Sequence, residues 1–318
     1  MSLLSFPRNR RLLGWLAWVI TTVLLIAVLL SFDLRAVGHH LARAQPAWIL
    51  AAILANFAVL PLLTEQWSRL LPTTRPLPWS VLWRCVTLAV AAMNTLPLGS
   101  GHAVGVGLVA RQGRTGWPGA LSLMALEQVC DAFGKLLLIL AALAVVPLPG
   151  AWQRVPWILG TALLVGFLAL LWMAHHPVVH PPSRGWRARW GRQLEVLKRP
   201  RVFLTAVGLS VAIKAAGLLA IFAVQRSLGV DLPFATTPLI LGAVTVATLV
   251  SLAPSDLGIY EAAAFGAYRL LGVPPGEAVA LAVLQHACFL IPSVGTGYAM
   301  TAWRSLLPAR PCLAGTPD

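Results

Sequence analysis

Charged side chains are scarce in this sequence, and acidic ones are the scarcest. Only 11% of the 318 residues are charged, with 10 acidic residues against 24 basic ones, while 58% are hydrophobic. Soluble domains carry roughly 25% charged residues, so this composition excludes an ordinary soluble protein. The surplus of basic residues does not indicate nucleic-acid binding, because the bases lie in loops between apolar stretches. That distribution is typical of a chain that crosses a membrane several times.

Cysteine is also rare, and the motifs of common catalytic sites are missing. Cys85, Cys130 and Cys288 lie inside apolar stretches, and no cysteine pair has the spacing of a zinc site. The sequence contains no G-x-S-x-G, H-E-x-x-H, phosphate-binding loop or C-x-x-C motif. We therefore expect no bound metal and no cofactor, and none of these patterns identifies an enzyme.

Apolar stretches fill most of the chain. A helix needs about 20 apolar residues to cross the hydrocarbon core of a bilayer. The apolar stretches are 12–31, 47–64, 79–96, 102–110, 118–146, 155–174, 202–224, 234–252, 259–271 and 278–302. They predict an all-α polytopic membrane protein with about eight full transmembrane helices plus two broken or half-helix segments. Residues 1–318 would form a single integral membrane domain, with the first stretch retained as a helix because no signal-peptide cleavage site follows it.

The basic residues predict which side of the membrane each loop occupies. If every stretch crosses and both termini are cytoplasmic, 17 of the 24 basic residues fall on the inner side, as the positive-inside rule requires. We expect the bacterial cytoplasmic (inner) membrane as the location. The basic cytoplasmic loop 175–201 holds seven of the bases, and Trp186 and Trp190 recur there at helical spacing. This pattern favours an amphipathic helix on anionic inner-leaflet lipids at 184–201, although an ordinary positive-inside loop would also fit.

Two apolar segments are interrupted in the same way at corresponding places. The first break runs from Asn94 through Pro97 to Gly101, and the second contains Pro254 and Gly258. The prolines and glycines of the two breaks match at a single offset of 157 residues. Paired membrane segments interrupted by glycine and proline are a sequence signal of a transport site.

The breaks also predict how the two halves of the chain are related. Five segments per half is an odd number, so residues 12–146 and 155–302 would insert with opposite orientation as an inverted repeat. The short stretches 102–110 and 259–271 leave open whether they cross fully or re-enter. The charge rule favours a change of side, because re-entry would move the most basic loop outside.

The residues around the breaks give conflicting signals for an anion site. Short helices are expected just after Gly101 and Gly258, and helix N-termini attract anions. Asp256 and Glu261 would oppose a phosphate there unless they are protonated or paired with a lysine. Ser255 and Asp256 could instead simply cap the second short helix.

Charged residues also lie within two of the longer predicted spans. Glu127, Asp131 and Lys135 are four residues apart and share one helix face, while Lys214 lies inside the stretch 202–224. Charges at this depth are costly and mark functional sites by default. An internal Asp131–Lys135 ion pair and a polar wall along a substrate or proton path are both open. Lys214 would neutralise Glu127 or Glu261, or contact a lipid phosphate.

Motifs across nearly the whole sequence resemble those of a known family. They are Asn94 with Leu96-Pro97 and the following Gly-rich break, Arg111 and Gly113, Glu127 with Asp131, Pro254 with Gly258-Ile259-Tyr260-Glu261, Leu271-Gly272-Val273, and Gly295 with Gly297. The chain resembles the transmembrane region of lysylphosphatidylglycerol synthases and its stand-alone, flippase-like relatives. The resemblance implies a membrane region that moves a lipid between leaflets.

The chain also departs from that family's pattern. His102 stands where the family often has an acidic residue, and Gln128 and His286 stand where it often has a base. His286 is either titratable near neutral pH or a neutral, hydrogen-bonded ring. Since the sequence ends at Asp318 in a short Pro-rich tail, the resemblance implies a stand-alone relative without the synthase domain. The headgroup of the lipid is left open.

Two classes of function follow. The first is a lipid transporter, more transport-like than enzymatic, that moves a membrane phospholipid or other polar lipid between leaflets. Its pathway would be formed by Asn94, Pro97, Gly101, His102, Glu127, Asp131, Lys135, Lys214, Pro254, Asp256, Gly258, Glu261 and His286. The alternative is an integral membrane transferase, with Glu127 or Glu261 as general base, or an accessory subunit of lipid, hopanoid or glycolipid biosynthesis. An accessory subunit would position a lipid-synthesis enzyme as its partner.

Overall fold

The part of the chain that the structure describes is helical. The computed structural model describes residues 40–71, 77–96, 100–112, 116–145, 199–248 and 254–306, with a few isolated positions elsewhere. Across these residues there is no strand, which confirms the predicted all-α architecture for them. The helices are α1 (Pro46–Leu70), α2 (Trp79–Thr95), α3 (Ser100–Gln112), α4 (Gly116–Val145), α5 (Pro200–Ser227), α6 (Thr237–Thr248), α7 (Ile259–Leu270) and α8 (Pro275–Leu306).

Three of the described helices have the length and apolar composition to cross a membrane. They are α1, α5 and the Pro275–Ala302 part of α8. Each begins with proline, which suits the first helical turn because no intrahelical hydrogen bond is lost there. The predicted stretch 12–31, most of 155–174, residues 175–198 of the basic loop, and Pro97 lie outside the described residues. The total of about eight full spans therefore stays a prediction, and two of the eight stretches, 79–96 and 234–252, correspond to short helices of the hairpins described below.

Helices α1 and α5 form an antiparallel central pair. The backbone N–H of Gln45, just before α1, donates to the carbonyl of Ser227 at the end of α5 (2.8 Å). Near the other end, the Gln66 side-chain amide donates to the carbonyl of Ala206 (2.9 Å) and to the hydroxyl of Ser210 (2.6 Å). These contacts define two ends of the bundle, which we call the Gln45 end and the Leu70 end.

Helices α2 and α3 form a hairpin that starts and finishes at the Leu70 end. The Sγ of Cys85, in the first half of α2, lies 3.8 Å from the Oε1 of Gln112 at the end of α3. A Cβ on Gly101 would lie 2.3 Å from the Cα of Met93, so only glycine allows this approach. With 17 and 13 residues, the helices rise roughly 25 and 20 Å. Both are shorter than the hydrocarbon core of a bilayer, about 30 Å.

Helices α6 and α7 form a second hairpin from the opposite, Gln45 end. The chain leaves α5 there and enters α6 through the 3₁₀ turn Phe234–Thr236. It also enters α8 there, because a Cβ on Gly276 would lie 3.5 Å from the ring of His40. Each helix has 12 residues and rises roughly 18 Å. The stretch 259–271 thus runs back to the end from which the stretch 234–252 comes.

The tips of the two hairpins meet inside the bundle. The second tip contains the 3₁₀ turn Pro254–Asp256. Its Ser255 hydroxyl donates a hydrogen bond to the backbone carbonyl of Asn94, at the end of α2. The first apolar core, around Trp67, Val86, Leu123 and Phe203, packs α2 and α3 against one part of the α1–α5 pair. A second core packs α6, α7 and α8 against the other part, and the tips lie between the two cores.

Candidate functional site

A cavity of about 300 Å³ lies beside the tip of the second hairpin. Its wall is built from α1, α4, α5, α6, α7 and α8, so both halves of the chain contribute to it. Lys214, on that wall, lies near the middle of α5. The polar and aromatic lining residues are Asn56, Lys135, Lys214, Thr245, Thr248, Asp256, Tyr260, Gln285 and Phe289.

One carboxylate joins the two lysines of the cavity. Asp131 binds the Nζ of Lys135 through Oδ2 (2.8 Å) and the Nζ of Lys214 through Oδ1 (2.6 Å). Lys135 is the i+4 neighbour of Asp131, as expected for a pair on one helix face. Lys214 reaches the same carboxylate because α4 and α5 cross closely at Gly134, where a Cβ would lie 3.4 Å from the carbonyl of Ser210.

These contacts show which of the ion pairs considered for Lys135 and Lys214 form. The Asp131–Lys135 ion pair that the sequence left open is present. The direct ion pair of Lys214 is with Asp131 and not with Glu127 or Glu261, although the charge of Lys214 also acts on Glu127. Glu127 lies one turn before Asp131 and accepts a hydrogen bond from the side chain of its neighbour Gln128 instead (2.8 Å).

Glu261 links the second hairpin tip to α8. Its Oε2 accepts a hydrogen bond from the backbone N–H of Gly258 (2.7 Å), and its Oε1 lies 2.7 Å from the Nδ1 of His286. Gly258, with φ 83°, is the residue that precedes α7. The N-cap position of this helix is therefore Gly258 and not Ser255 or Asp256. Both have left-handed backbone angles, φ 55° and 54°, and the Glu261 carboxylate accepts the backbone N–H at the N-cap position instead.

His286 belongs to a packed polar and aromatic group behind the cavity wall. Its side chain is only 2% exposed, and its ring stacks on Tyr260 with centroids 4.1 Å apart. The Tyr260 hydroxyl accepts a hydrogen bond from the amide of Gln285 (2.8 Å), whose oxygen accepts one from Tyr268 (2.9 Å). This group holds Tyr260 and Gln285 where they line the cavity.

The remaining sequence-derived residues shape the hairpins. Asn94 uses its side-chain amide to bond the carbonyl of Val90 (2.8 Å), and Gly101 sits in the close contact between α2 and α3. Pro254 begins the turn at the second tip. His102 is exposed on α3, outside the cavity lining, although Lys135 acts on it electrostatically. Helix α3 begins at Ser100, one residue before Gly101 rather than after it.

Sequence reasoning gave no role to three residues of the wall whose side chains form hydrogen bonds between helices. Asn56 lines the cavity and donates from its side chain to the carbonyls of Ala52 and Cys288 (3.1 and 3.2 Å). Gln285 and Tyr260 are the others. Asn56 and Gln285 are polar residues inside apolar stretches, and that isolation is the signal that could have found them. Within the described ranges, no group of three or more metal-ligating side chains comes together.

Comparison with known families covers nearly the whole chain. A family model described as the lysylphosphatidylglycerol synthase TM region matches residues 14–297. The matched span contains both hairpins and all of the cavity lining. No curated protein gives a significant match to the sequence.

Proposed function

This chain belongs to the lysylphosphatidylglycerol synthase TM region family, and from that premise we propose that it moves a polar-headgroup lipid between the leaflets of a membrane. Family membership and the long apolar helices make it an integral membrane protein. The observation that carries the transport proposal is the cavity at the middle of α5, whose largely apolar wall carries two lysines, an aspartate and amides. Polar groups at this depth are costly unless they serve a substrate or pair with each other.

The size of the cavity suits a headgroup and not a whole lipid. Ligand pockets for small molecules range from about 300 to 1,000 Å³, and this cavity of about 300 Å³ is at the lower limit. A headgroup would enter the cavity while the acyl chains stay in the surrounding bilayer. The transported part of the lipid would thereby keep polar partners on its way across.

The two hairpins support an inverted-repeat arrangement of residues 12–146 and 155–302. They start at opposite ends of the α1–α5 pair, and their tips meet beside the cavity. Transporters built in this way place the substrate site at the repeat interface, near the bilayer midplane. The same proposal keeps both termini in the bacterial cytoplasm and anionic lipids beside residues 184–201.

A vesicle assay tests this function. The full chain is reconstituted with a fluorescent phospholipid, and exchange between leaflets is followed by chemical quenching of the outer leaflet. We expect faster exchange than in protein-free vesicles, and a loss of roughly tenfold or more in Lys214→Met, which removes a charge-assisted contact. Arg69→Met is the matched control, because Arg69 is an exposed cation on α1, paired with Glu65 away from the cavity.

Failure would be clear in this design. If well-incorporated protein accelerates the exchange of none of several lipids with different headgroups, transport is excluded. If Lys214→Met and Arg69→Met lose the same activity, the cavity is not the route. Mass spectrometry of the vesicle lipids is run in parallel, so that a chemically modified lipid would reveal a transferase instead.

A further inference from the structure

We infer that Glu261 and His286 form a proton-binding site that holds the tip of the second hairpin when the pair is fully protonated and loosens the tip when a proton leaves. This inference deepens the proposed function and rests on it for the consequence that lipid exchange depends on pH. It is carried by a buried pair of titratable side chains that holds the N-terminus of α7, and by a ring nitrogen of that pair that has no partner among the described residues.

The pair lies inside the bundle, and its two members are in direct contact. The side chains of Glu261 and His286 are 12% and 2% exposed, and the Oε1 of the carboxylate lies 2.7 Å from the Nδ1 of the ring. A carboxylate can only accept hydrogen bonds, so this contact requires a proton between the two atoms. The imidazole ring is also the side chain that ordinarily gains or loses a further proton between about pH 5 and 8.

The second ring nitrogen is where that further proton binds. The Nε2 of His286 is buried, and none of the described residues provides it with a hydrogen-bond partner. Buried polar atoms are nearly always hydrogen-bonded, so an unpaired one requires an explanation. With the first proton on Nδ1, Nε2 carries a lone pair that accepts a proton from water. The resulting cation is stabilised by the face of Tyr260, which stacks on the ring with centroids 4.1 Å apart.

This proton changes the charge of the pair. A carboxylate beside a neutral ring is an anion without a counter-charge, whereas a carboxylate beside a protonated ring is a neutral ion pair. Buried charges are costly when they are not paired. When the ring loses its proton, the Glu261 carboxylate is therefore driven to turn toward water or toward another cation.

The other titratable groups around the pair belong to its own helices and to the cavity region. They are Tyr260 and Tyr268 on α7, Cys288 on α8, Lys214 on α5, Glu127, Asp131 and Lys135 on α4, and Asp256 at the tip. Helix α6 has none, and those of α1 and α2 lie toward the Leu70 end. Among the described residues, the ion pair of Glu261 is with His286, so the proton on that ring decides the local charge.

Glu261 transmits this change to the hairpin tip through the backbone. Its Oε2 accepts the N–H of Gly258 (2.7 Å). Ser255, Asp256 and Gly258 have left-handed φ angles of 55°, 54° and 83°, which are unfavourable for the two residues that carry a side chain. Such a turn persists only while the surrounding contacts hold it. A Glu261 carboxylate that turns away releases Gly258, and the tip loosens.

Nitrogen NMR of the full chain in detergent micelles observes the proton directly. The chain is labelled with nitrogen-15 at its 7 histidines, and the signals absent from His286→Asn identify His286. As the pH falls from about 8.5 to about 5.5, we expect Nε2 to change from an acceptor signal to a donor signal, while Nδ1 remains a donor. Signals of His286 that stay constant over this range would overturn the inference.

Hydrogen–deuterium exchange of peptides containing Gly258 measures the tip, after correction for the intrinsic effect of pH. Protection of the wild-type tip should fall roughly tenfold from the lower to the higher pH, the effect of one charge-assisted bond. His286→Asn keeps a donor for Glu261 but does not titrate, so its protection should be equal at both. His40→Asn is the matched control at the Gln45 end, beside Gly276, and should behave as the wild type.

A wild-type tip with equal protection at both pH values would overturn the inference. If His286→Asn fails to fold, this wild-type comparison and the NMR titration decide. In vesicles with the same pH on both sides and a phosphatidylcholine probe, whose headgroup keeps its charge over this range, we expect exchange to be roughly tenfold faster at the higher pH. The rate should not depend on pH in His286→Asn.

The vesicle results separate this inference from the proposed function. A proton site and a pH-dependent tip, without lipid exchange at either pH, would support the site and overturn transport. Lipid exchange with the same pH dependence in the wild type and in His286→Asn would support transport and overturn control by this pair.

Discussion

Replacing Gly101 with alanine tests whether the first hairpin depends on direct backbone contact. The added Cβ would lie 2.3 Å from the Cα of Met93 and 2.4 Å from its nitrogen, whereas carbon atoms pack best about 3.5–4.0 Å apart. Neither atom belongs to a flexible side chain, so α2 and α3 must separate. Overpacking costs about 1–3 kcal/mol. We expect about 3 kcal/mol here, because backbone of one helix meets backbone of the other.

Gly107→Ala is the matched control on the same helix. A Cβ on Gly107 would meet no atom within 4 Å, and alanine favours a helix over glycine by roughly 0.5–1 kcal/mol. Thermal melting in detergent, followed by far-UV circular dichroism, compares the two. At about 2–4 °C per kcal/mol, Gly101→Ala should melt about 6–12 °C lower, and Gly107→Ala at or slightly above the wild type. If both variants melt at the same temperature as the wild type, the close approach of α2 and α3 at Gly101 does not stabilise the hairpin.

Three further outcomes are expected. Gly297→Ala should destabilise the fold by about 1–3 kcal/mol, because its Cβ would lie 2.4 Å from a methyl group of α2. Gly295→Ala, with open space around it, should not destabilise the fold, and equal melting temperatures of the two variants would contradict this expectation. Asp131→Asn leaves two lysines without their carboxylate and should cost about 3 kcal/mol, against about 1 kcal/mol or less for the exposed pair broken by Glu65→Gln. Similar melting temperatures of Asp131→Asn and Glu65→Gln would contradict the expectation that the ion pairs of Asp131 with Lys135 and Lys214 stabilise the fold. Glu261→Gln should lower lipid exchange roughly tenfold through loss of a charge-assisted bond; unchanged exchange by a folded variant would remove Glu261 from the transport machinery.

Most helix positions could be predicted from the sequence. The apolar stretch 79–96 corresponds to α2 (Trp79–Thr95), and 259–271 to α7 (Ile259–Leu270). These boundaries follow from local features, namely the length of apolar runs and the glycine and proline residues that interrupt them. The charged residues of α4 could also be found from the sequence, because a charged residue within an apolar stretch can be recognised without knowing the fold.

The partners of those residues could not be predicted, because they depend on contacts between distant helices. Lys214 binds Asp131 because α4 and α5 cross at Gly134, and nothing local to either helix encodes that crossing. The direction of α3 similarly depends on the approach of Gln112 to Cys85. Residues with the same local pattern could equally have continued across the bilayer.

The hydrogen bond between the hairpin tips has a consequence for how the protein is made. The carbonyl of Asn94 is among the last of α2, and such carbonyls have no partner within their own helix. Its partner, the hydroxyl of Ser255, is synthesised 161 residues later. Until the second hairpin is synthesised, the carbonyl of Asn94 at the end of α2 therefore lacks this hydrogen-bond partner. A chain truncated before Ser255 would lack this bond between the hairpin tips.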